Sequence, residues 1–475
     1  MTYSQSSSGD HLMWTGHELV DVGVAALTVH AKKRRPEDVN TADLESFVNY
    51  CERAYFTLAM PGYLSVLFTS NFLNPSLDDA AKRERVRDIL TSYKKTPPQD
   101  SPPCTYCGRP SITTGYRDLV PMLSGRGVVN FFPGGGRGLD ICGMCLLCIQ
   151  ALSLGAPMVS GRSLIVSTRD HDFLIRFTAK WQAEMRARIQ LAEASGKKPD
   201  TISYPRTRVV ETLIALEQDR DMDNVLDITA YLLSNSGQGP SFQVYHLPAS
   251  AIRFIILARQ ELYREAWMRV INESWELSRN GTEVGSKEYR RNFLMEDLFR
   301  LPEYASVFLN RYLLKRNIRK VKGAAGQLTW KDRSGISWPL TDLFLKEVLG
   351  MKKERIQAIK ELAEMLADYI GRNEISKTFM KFYMASKFID LRRTLLKISL
   401  DSVKHDGEPI KLDKFLAVFE EGEEIPRVDW RMARDVMLIR MIEVLHDKYK
   451  FFTKAEDEIS LDELEEPDEE KEEEA

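Results

Sequence analysis

The sequence predicts an α+β fold that is mostly helical: an N-terminal mixed domain with a zinc-knuckle module, then a C-terminal helical bundle. Three observations carry this. Two Cys-x2-Cys pairs, Cys104/Cys107 and Cys142/Cys145, are separated by 34 residues. Two alternating runs within 227–247 flank a turn marked by Asn235, Gly237, Gly239 and Pro240. From Ser250 onward the apolar residues recur at helical spacing, and the last 130 residues show no clear strand.

The elements follow in chain order. Residues 14–30, WTGHELVDVGVAALTVH, begin with a turn and continue as an apolar helix. Asn40 or Thr41 caps a second helix, with Asp43 and Glu45 in the first turn, where the helix dipole favours acids. GYLSVLF (62–68) alternates and predicts a strand. A loop follows, then a helix over 78–94. Pro97, Pro98, Pro102 and Pro103 mark the start of a separate module at about 101–150. SLIVS (163–167) predicts a strand, and 173–195 has helical spacing. Beyond 340, Ile356, Ile359, Ala363, Leu366 and Ile370 share one helical face. Phe379, Phe382, Ser386 and Ile389 continue the pattern in the next helix, and Val428, Met432, Val436 and Ile439 in the last. The expected division is a large domain over 1–345, a bundle over 346–455 and a disordered acidic tail over 456–475.

At 475 residues the chain is long enough for two to four domains, and 43% hydrophobic with 28% charged residues is ordinary globular usage. A disordered chain, a collagen and a coiled-coil rod are excluded. The net charge of −3 hides an asymmetry. The tail carries 13 acids and one Lys, a net of −12; the rest holds 65 Lys+Arg and 56 Asp+Glu, a net of +9. A basic body permits a nucleic-acid partner.

Six cysteines are too few for a disulfide scaffold, and five of them cluster at two-residue gaps, which points to reduced, metal-binding thiols. Residues 1–11 are polar, with no apolar signal core, so the expected compartment is the cytoplasm. Residues 141–161 carry no charge and are long enough to span a bilayer, but they contain Gln150, Ser153, two internal Gly, a Pro and three Cys. They read as a metal knuckle running into a buried helix.

A two-residue gap lets two sulfurs turn onto one tetrahedral Zn²⁺, so two such pairs complete four ligands. Gly108 and Gly143 supply tight backbone near the sulfurs. Five cysteines compete for four places, because Cys145 can pair with Cys142 or with Cys148. Cys104, Cys107, Cys142 and Cys145 form the favoured set, with Cys148 as the alternative. Cys148 and Cys51 otherwise read as small buried hydrophobes. No His lies between His30 and His171, which favours a structural over a catalytic zinc. A redox dithiol is the other reading of a Cys-x2-Cys pair.

The glycine-rich stretch 131–140 lacks the Lys-Ser/Thr of a phosphate loop and reads as a turn. Asp170-His171-Asp172 admits a metal nuclease but reads better as a polar turn. Residues 311–333 hold eight cations against Asp332 alone. Arg311, Lys315, Arg319 and Lys322 fall on one helical face, and with Arg316 they predict a track for a phosphate backbone. Asn71 and Asn74, in the loop after 68, are candidates to read base edges.

Four stretches together resemble the large subunit of type I CRISPR effector complexes (Cascade), in the subgroup named for its CXXC–CXXC cysteines (type I-B, with type I-A relatives). They are WTGHELVDVGVAAL, CTYCGR with NFFPGGGRGLDICGMC, SNSGQGPSFQVYHLP and the helical C-terminus. The resemblance implies a non-catalytic, nucleic-acid-binding role in antiviral defence, within a cytoplasmic ribonucleoprotein that binds guide crRNA. The guide reads the target by base pairing; the protein recognises the flanking PAM, opens double-stranded DNA and holds the displaced strand. The implied partners are the backbone, guide-end and small subunits and a helicase-nuclease or transposition proteins, with no membrane. The readings from other classes are a zinc-ribbon metal-dependent nuclease and a scaffold that binds only proteins. Family resemblance also raises an internal start at Met351. Lys346-Glu347-Val348 can be encoded as a ribosome-binding sequence, and the product would contain the whole bundle.

Overall fold

The computed structural model describes residues 11–69, 74, 76–126, 138–199, 202–216, 226–235, 240–276, 290–315, 336–373, 375–404, 409–421 and 425–451. Helices dominate and the strands are short, a mostly helical α+β fold. Two compact units divide it: Met1–Ala249 with Gly285–Arg291, and Ser250–Val284 with Asn292–Ala475.

The first unit is built on two buried helices, α1 (Glu18–His30) and α5 (Gly143–Gly155). Both are apolar along nearly their whole length, so they become the centre rather than the surface. Small residues let them touch. A Cβ on Gly23 would lie 1.8 Å from the Cys148 carbonyl oxygen, and one on Gly155 would press on Val22 and Ala26. Buried polar groups tie the neighbours to this pair. Tyr55, which closes α2 (Thr41–Ala54), donates its hydroxyl to the Gln150 carbonyl at 2.9 Å, and Gln182 of α6 (His171–Ser195) donates to the Ala26 carbonyl at 3.0 Å. Asn40 caps α2 in a reciprocal box with Asp43, which satisfies both orphan amides.

Residues 62–68 form a helix, α3 (Pro61–Leu67), and not the expected strand. Pro61 sits at the first turn, and Tyr63, Leu64 and Leu67 share the buried face. The short run fits both periods, and packing decides: the Tyr63 hydroxyl meets Ser163 at 2.9 Å. The helix expected over 78–94 is α4 (Asp79–Leu90), capped by Asp78, followed by a 3-10 turn at Ser92–Lys94.

The strands β1 (Thr113–Gly115) and β2 (Leu139–Ile141) pair antiparallel. A second antiparallel sheet has the order β3 (Met158–Val159), β4 (Arg162–Ser167), β5 (Ile228–Ser234), β6 (Ser241–Leu247). Its last two strands are the expected hairpin. The helix α7 (Pro205–Ala215) packs beside α6, with Trp181 donating to Thr212 at 2.9 Å.

The second unit starts with α8 (Ala249–Leu257) and α9 (Glu261–Glu273), then short α10 (Phe293–Asp297) and α11 (Ala305–Phe308). The bundle follows: α12 (Trp338–Glu347), α13 (Lys353–Asn373), α14 (Ser376–Tyr383), α15 (Phe388–Lys404), α16 (Leu412–Phe419) and α17 (Trp430–Asp447). The compact division therefore falls near 250, whereas the sequence suggested 345. The reason is aromatic packing within the second unit. Phe254 of α8 meets Phe344 of α12 at 5.5 Å, and Arg253 pairs with Glu347 at 3.5 Å. Met351 lies between α12 and α13, just after Gly350, whose φ is +58°.

Three bundle details differ from expectation. The chain turns at 384–387, so Ile389 starts a new helix and faces outward, 49% exposed. Val428 precedes α17 and is fully exposed, while Val436 and Ile439 are buried. A two-residue pairing of β7 (Glu420–Glu421) with β8 (Ile425–Pro426) lies in a region expected to lack strands. Among the described residues no helix is long and apolar enough to cross a membrane. The uncharged stretch at 141–161 is instead β2, α5 and β3.

The contact between α1 and α6 carries a pH-sensitive bond. Arg186 donates to His30 Nδ1 at 2.9 Å, so that nitrogen must be unprotonated. Burial, then the Arg186 charge, lowers His30 from 6.5 to about 4. The unfolded chain therefore binds more protons between those values, and stability falls as pH drops from about 6.5 towards 4. Urea unfolding followed across that window should show the fall, and His30→Gln, which cannot titrate, should flatten it.

Candidate metal centre

The first cysteine pair sits in a turn closed by the Pro103–Pro110 bridge. Cys104 N donates to the Arg109 carbonyl at 2.6 Å, and Gly108 N to the Cys104 carbonyl at 2.9 Å. The chain reverses at Gly108, where φ is +74°, a conformation that glycine adopts without strain. Thr105 N donates to the Asp140 carbonyl at 2.8 Å, which stitches this knuckle to β2. The chain leaves β2 into Cys142, the N-cap of α5, whose Sγ accepts from Cys145 N at 3.4 Å. Both sulfurs of the second pair thus lie at a helix N-terminus, where the dipole favours thiolate.

The four Sγ atoms of Cys104, Cys107, Cys142 and Cys145 lie within 4.8 Å of one another, and Cys107 and Cys142 are 3.5 Å apart. A tetrahedral thiolate site with bonds of about 2.3 Å needs sulfurs about 3.8 Å apart; a disulfide needs about 2.0 Å. The quartet fits a metal ion and could hold one. Hydrogen bonds from Cys107, Cys142 and Cys145 hold the Cys104 thiol far below its ordinary value. The same sharing pushes Cys142 and Cys145 up. Cys107 is at about 7: its contact with Cys104 raises it, and those with Cys142 and Cys145 lower it further.

Cys148 stands outside the cluster. It lies one turn along α5, buried against Gly23, and burial pushes its thiol up. Cys51 on α2 is likewise buried, with its thiol raised. Both are core residues. Gly143 has a different purpose from the one expected: a Cβ there would lie 2.1 Å from the Ser92 carbonyl oxygen, so it admits the 3-10 turn after α4.

The segment before α1 folds over the knuckle. Asp21 accepts from Thr15 N at 2.8 Å, Thr15 Oγ1 at 3.0 Å and Gly16 N at 2.9 Å, which pins the turn. The His17 ring then meets the edge of Tyr106, inside the first cysteine pair, at 4.7 Å. Burial lowers the His17 pKa, with the Glu18 and Asp21 charges opposing. Arg109 donates to the His11 carbonyl at 2.6 Å. Sequence reading did not connect these residues to the metal site; the only signal was the turn composition at 14–17.

The other expected sites fare differently. Asp170 caps α6, accepting from Phe173 N at 2.8 Å; His171 stacks on Trp14 at 4.2 Å; Asp172 is exposed. Among the described residues the cysteine quartet is the only group of three or more potential ligands. Residues 131–137 of the glycine-rich stretch lie outside the described residues, as does Asn71. Asn74 Oδ1 accepts from Ser76 N and Oγ, both at 3.0 Å, a local turn.

Arg311 and Lys315 do not form an exposed track. Arg311 is buried and donates to Asp297 at 2.6 Å, and Lys315 is buried against Glu273 at 2.8 Å. The helical face predicted from spacing fails because Leu309–Leu313 forms a π turn. Arg316, Arg319 and Lys322 lie outside the described residues. Arg311→Ala should therefore act on folding: it leaves buried Asp297 with the Tyr312 hydroxyl at 2.7 Å and Arg300 at 3.9 Å as its remaining partners, and costs about 1–3 kcal/mol of stability in denaturant melts.

Buried Asn235 donates to the Leu67 and Arg117 carbonyls at 3.2 and 2.9 Å, and Thr69 donates to the Asn235 carbonyl at 2.6 Å. This hub joins the end of α3, the loop after β1 and the root of the β5–β6 turn. In sequence, Asn235 signalled only a turn.

Comparison with family models, with curated proteins and with solved structures finds no match to this chain.

Proposed function

We propose that the chain is the non-catalytic large subunit of a type I CRISPR RNA-guided surveillance complex, with one structural Zn²⁺ held by Cys104, Cys107, Cys142 and Cys145. The observation that supports it is a junction. Two stretches that carry the resemblance, WTGHELVDVGVAAL and the cysteine module, are one physical unit: His17 rests on Tyr106, Asp21 pins the turn, and α1 crosses α5 at Gly23. All-cysteine ligation favours zinc, and a four-thiolate site leaves no open position for chemistry. The reading places the chain in the cytoplasm, checking the PAM and opening the duplex. A guide RNA pairs with the target, and the C-terminal bundle lies along the displaced strand.

The test is reconstitution. The chain is co-expressed with backbone and guide-processing subunits and a repeat array taken from its own genomic neighbourhood. It should co-purify with guide RNA, and the complex should retain duplex DNA only when a matching flank is present. Metal-dependent cleavage by the chain alone would favour the nuclease. Assembly without any nucleic-acid affinity would favour the scaffold.

A further inference from the structure

The helix α15 is apolar on two opposite faces. Leu391, Leu395 and Ile398 point into the bundle. Ile389, Leu396, Leu400 and Val403, spaced seven, four and three residues apart, line the other side at 49%, 55%, 64% and 52% exposure. This second stripe is rimmed by cations: Arg392 on one edge, Arg393, Lys397 and Lys404 on the other. Arg393 and Lys404 pair with Asp390 and Asp401 of the same helix at 3.8 and 3.7 Å, yet they stay 73% and 72% exposed.

We propose that the chain's own acidic C-terminal segment, 456–475, docks on this outer face of α15. Three arguments select this occupant. The first is reach. Phe451, the last described residue, packs on Phe379 at 6.3 Å. Tyr449 bonds Asp368, and the next residue of α13, Tyr369, reaches Asp401 of α15. The chain end thus packs on α13 and α14, both of which contact α15; α15 is about 26 Å long, and 13 further residues extend up to about 43 Å. The second is composition. The segment holds Ile459, Leu461 and Leu464 among 13 acids, an apolar set in an anionic frame that matches an apolar stripe in a cationic one. The third disfavours the obvious competitor: a symmetric contact with a second copy would set two cationic rims against each other. The proposal stands independently of the functional reading above.

The experiment is zero-length carbodiimide cross-linking of the full chain, read by peptide mass spectrometry. Tail carboxylates should couple to Lys397 and Lys404 within a single chain. The double variant Leu396→Ser/Leu400→Ser should cut that yield about tenfold, with unchanged circular dichroism, because both side chains are exposed. A chain ending at Lys454 should bind an apolar dye more strongly than the full chain. Cross-links spread evenly over the exposed lysines and indifferent to the double variant would overturn the proposal. So would links found only between chains, or no gain in dye binding.

Discussion

Cys145→Ser should abolish stoichiometric metal binding and unfold the first unit, not merely loosen one loop. On the proposed reading Cys145 would ligate from the first turn of α5, and α5 is buried along almost its whole length. A metal held there would tie the knuckle, the segment that folds over it and the central helix into one cooperative block. Structural zinc contributes about 10–16 kcal/mol of apparent binding free energy in small fingers, as much as the whole stability of a typical domain, about 5–15 kcal/mol. Elemental analysis should give one metal per wild-type chain and none in Cys145→Ser or Cys104→Ser. Denaturant melts should show the first unit's transition lost. Metal affinity should fall as pH falls, since protons compete for the thiolates. Cys148→Ser is the discriminating control. It should keep its metal and lose only about 1–3 kcal/mol, the cost of a buried hydroxyl. Loss of metal from Cys148→Ser would refute the ligand assignment.

Gly23→Ala should be nearly as damaging, although it adds one methyl group. The new Cβ would sit 1.8 Å from the Cys148 carbonyl oxygen and 2.4 Å from its carbon. Those are backbone atoms in the middle of a buried helix, so no rotamer change relieves the clash. The helices α1 and α5 would have to separate, opening the core. The expected cost is about 5 kcal/mol, at the far end of single substitutions. Gly62→Ala in α3 is the matched control. Nothing lies within 4 Å of its added Cβ, and it should be neutral or stabilising by up to about 1 kcal/mol. Urea midpoints of the two variants should move in opposite directions, or one not at all.

Local rules worked where a residue's neighbours in sequence are also its neighbours in space. Asn40 caps α2 with Asp43 in its first turn, and β5 and β6 pair as the expected hairpin strands. The Cys-x2-Cys pairs belong here too, because a knuckle is made of adjacent backbone. Local rules failed where the deciding partner is distant. Arg311 and Lys315 read as exposed cations, but Asp297 and Glu273, 14 and 42 residues earlier in the chain, neutralise them in the interior. Charge density in a sequence does not report burial.

The helical class, the cap at Asn40, the hairpin and the two Cys-x2-Cys knuckles were legible in the sequence, since each rests on short-range backbone geometry. Tertiary structure alone decided four things. It made 62–68 a helix, because Tyr63 finds a partner in Ser163. It set Cys148 apart from the cysteine quartet, because α5 turns that residue towards α1. It drew the division near 250, because Phe254 packs on Phe344. And it gave Gly23 its importance, because only the crossing of two buried helices brings one backbone against another. Each depends on contacts between residues far apart in the chain, which no periodicity or propensity encodes.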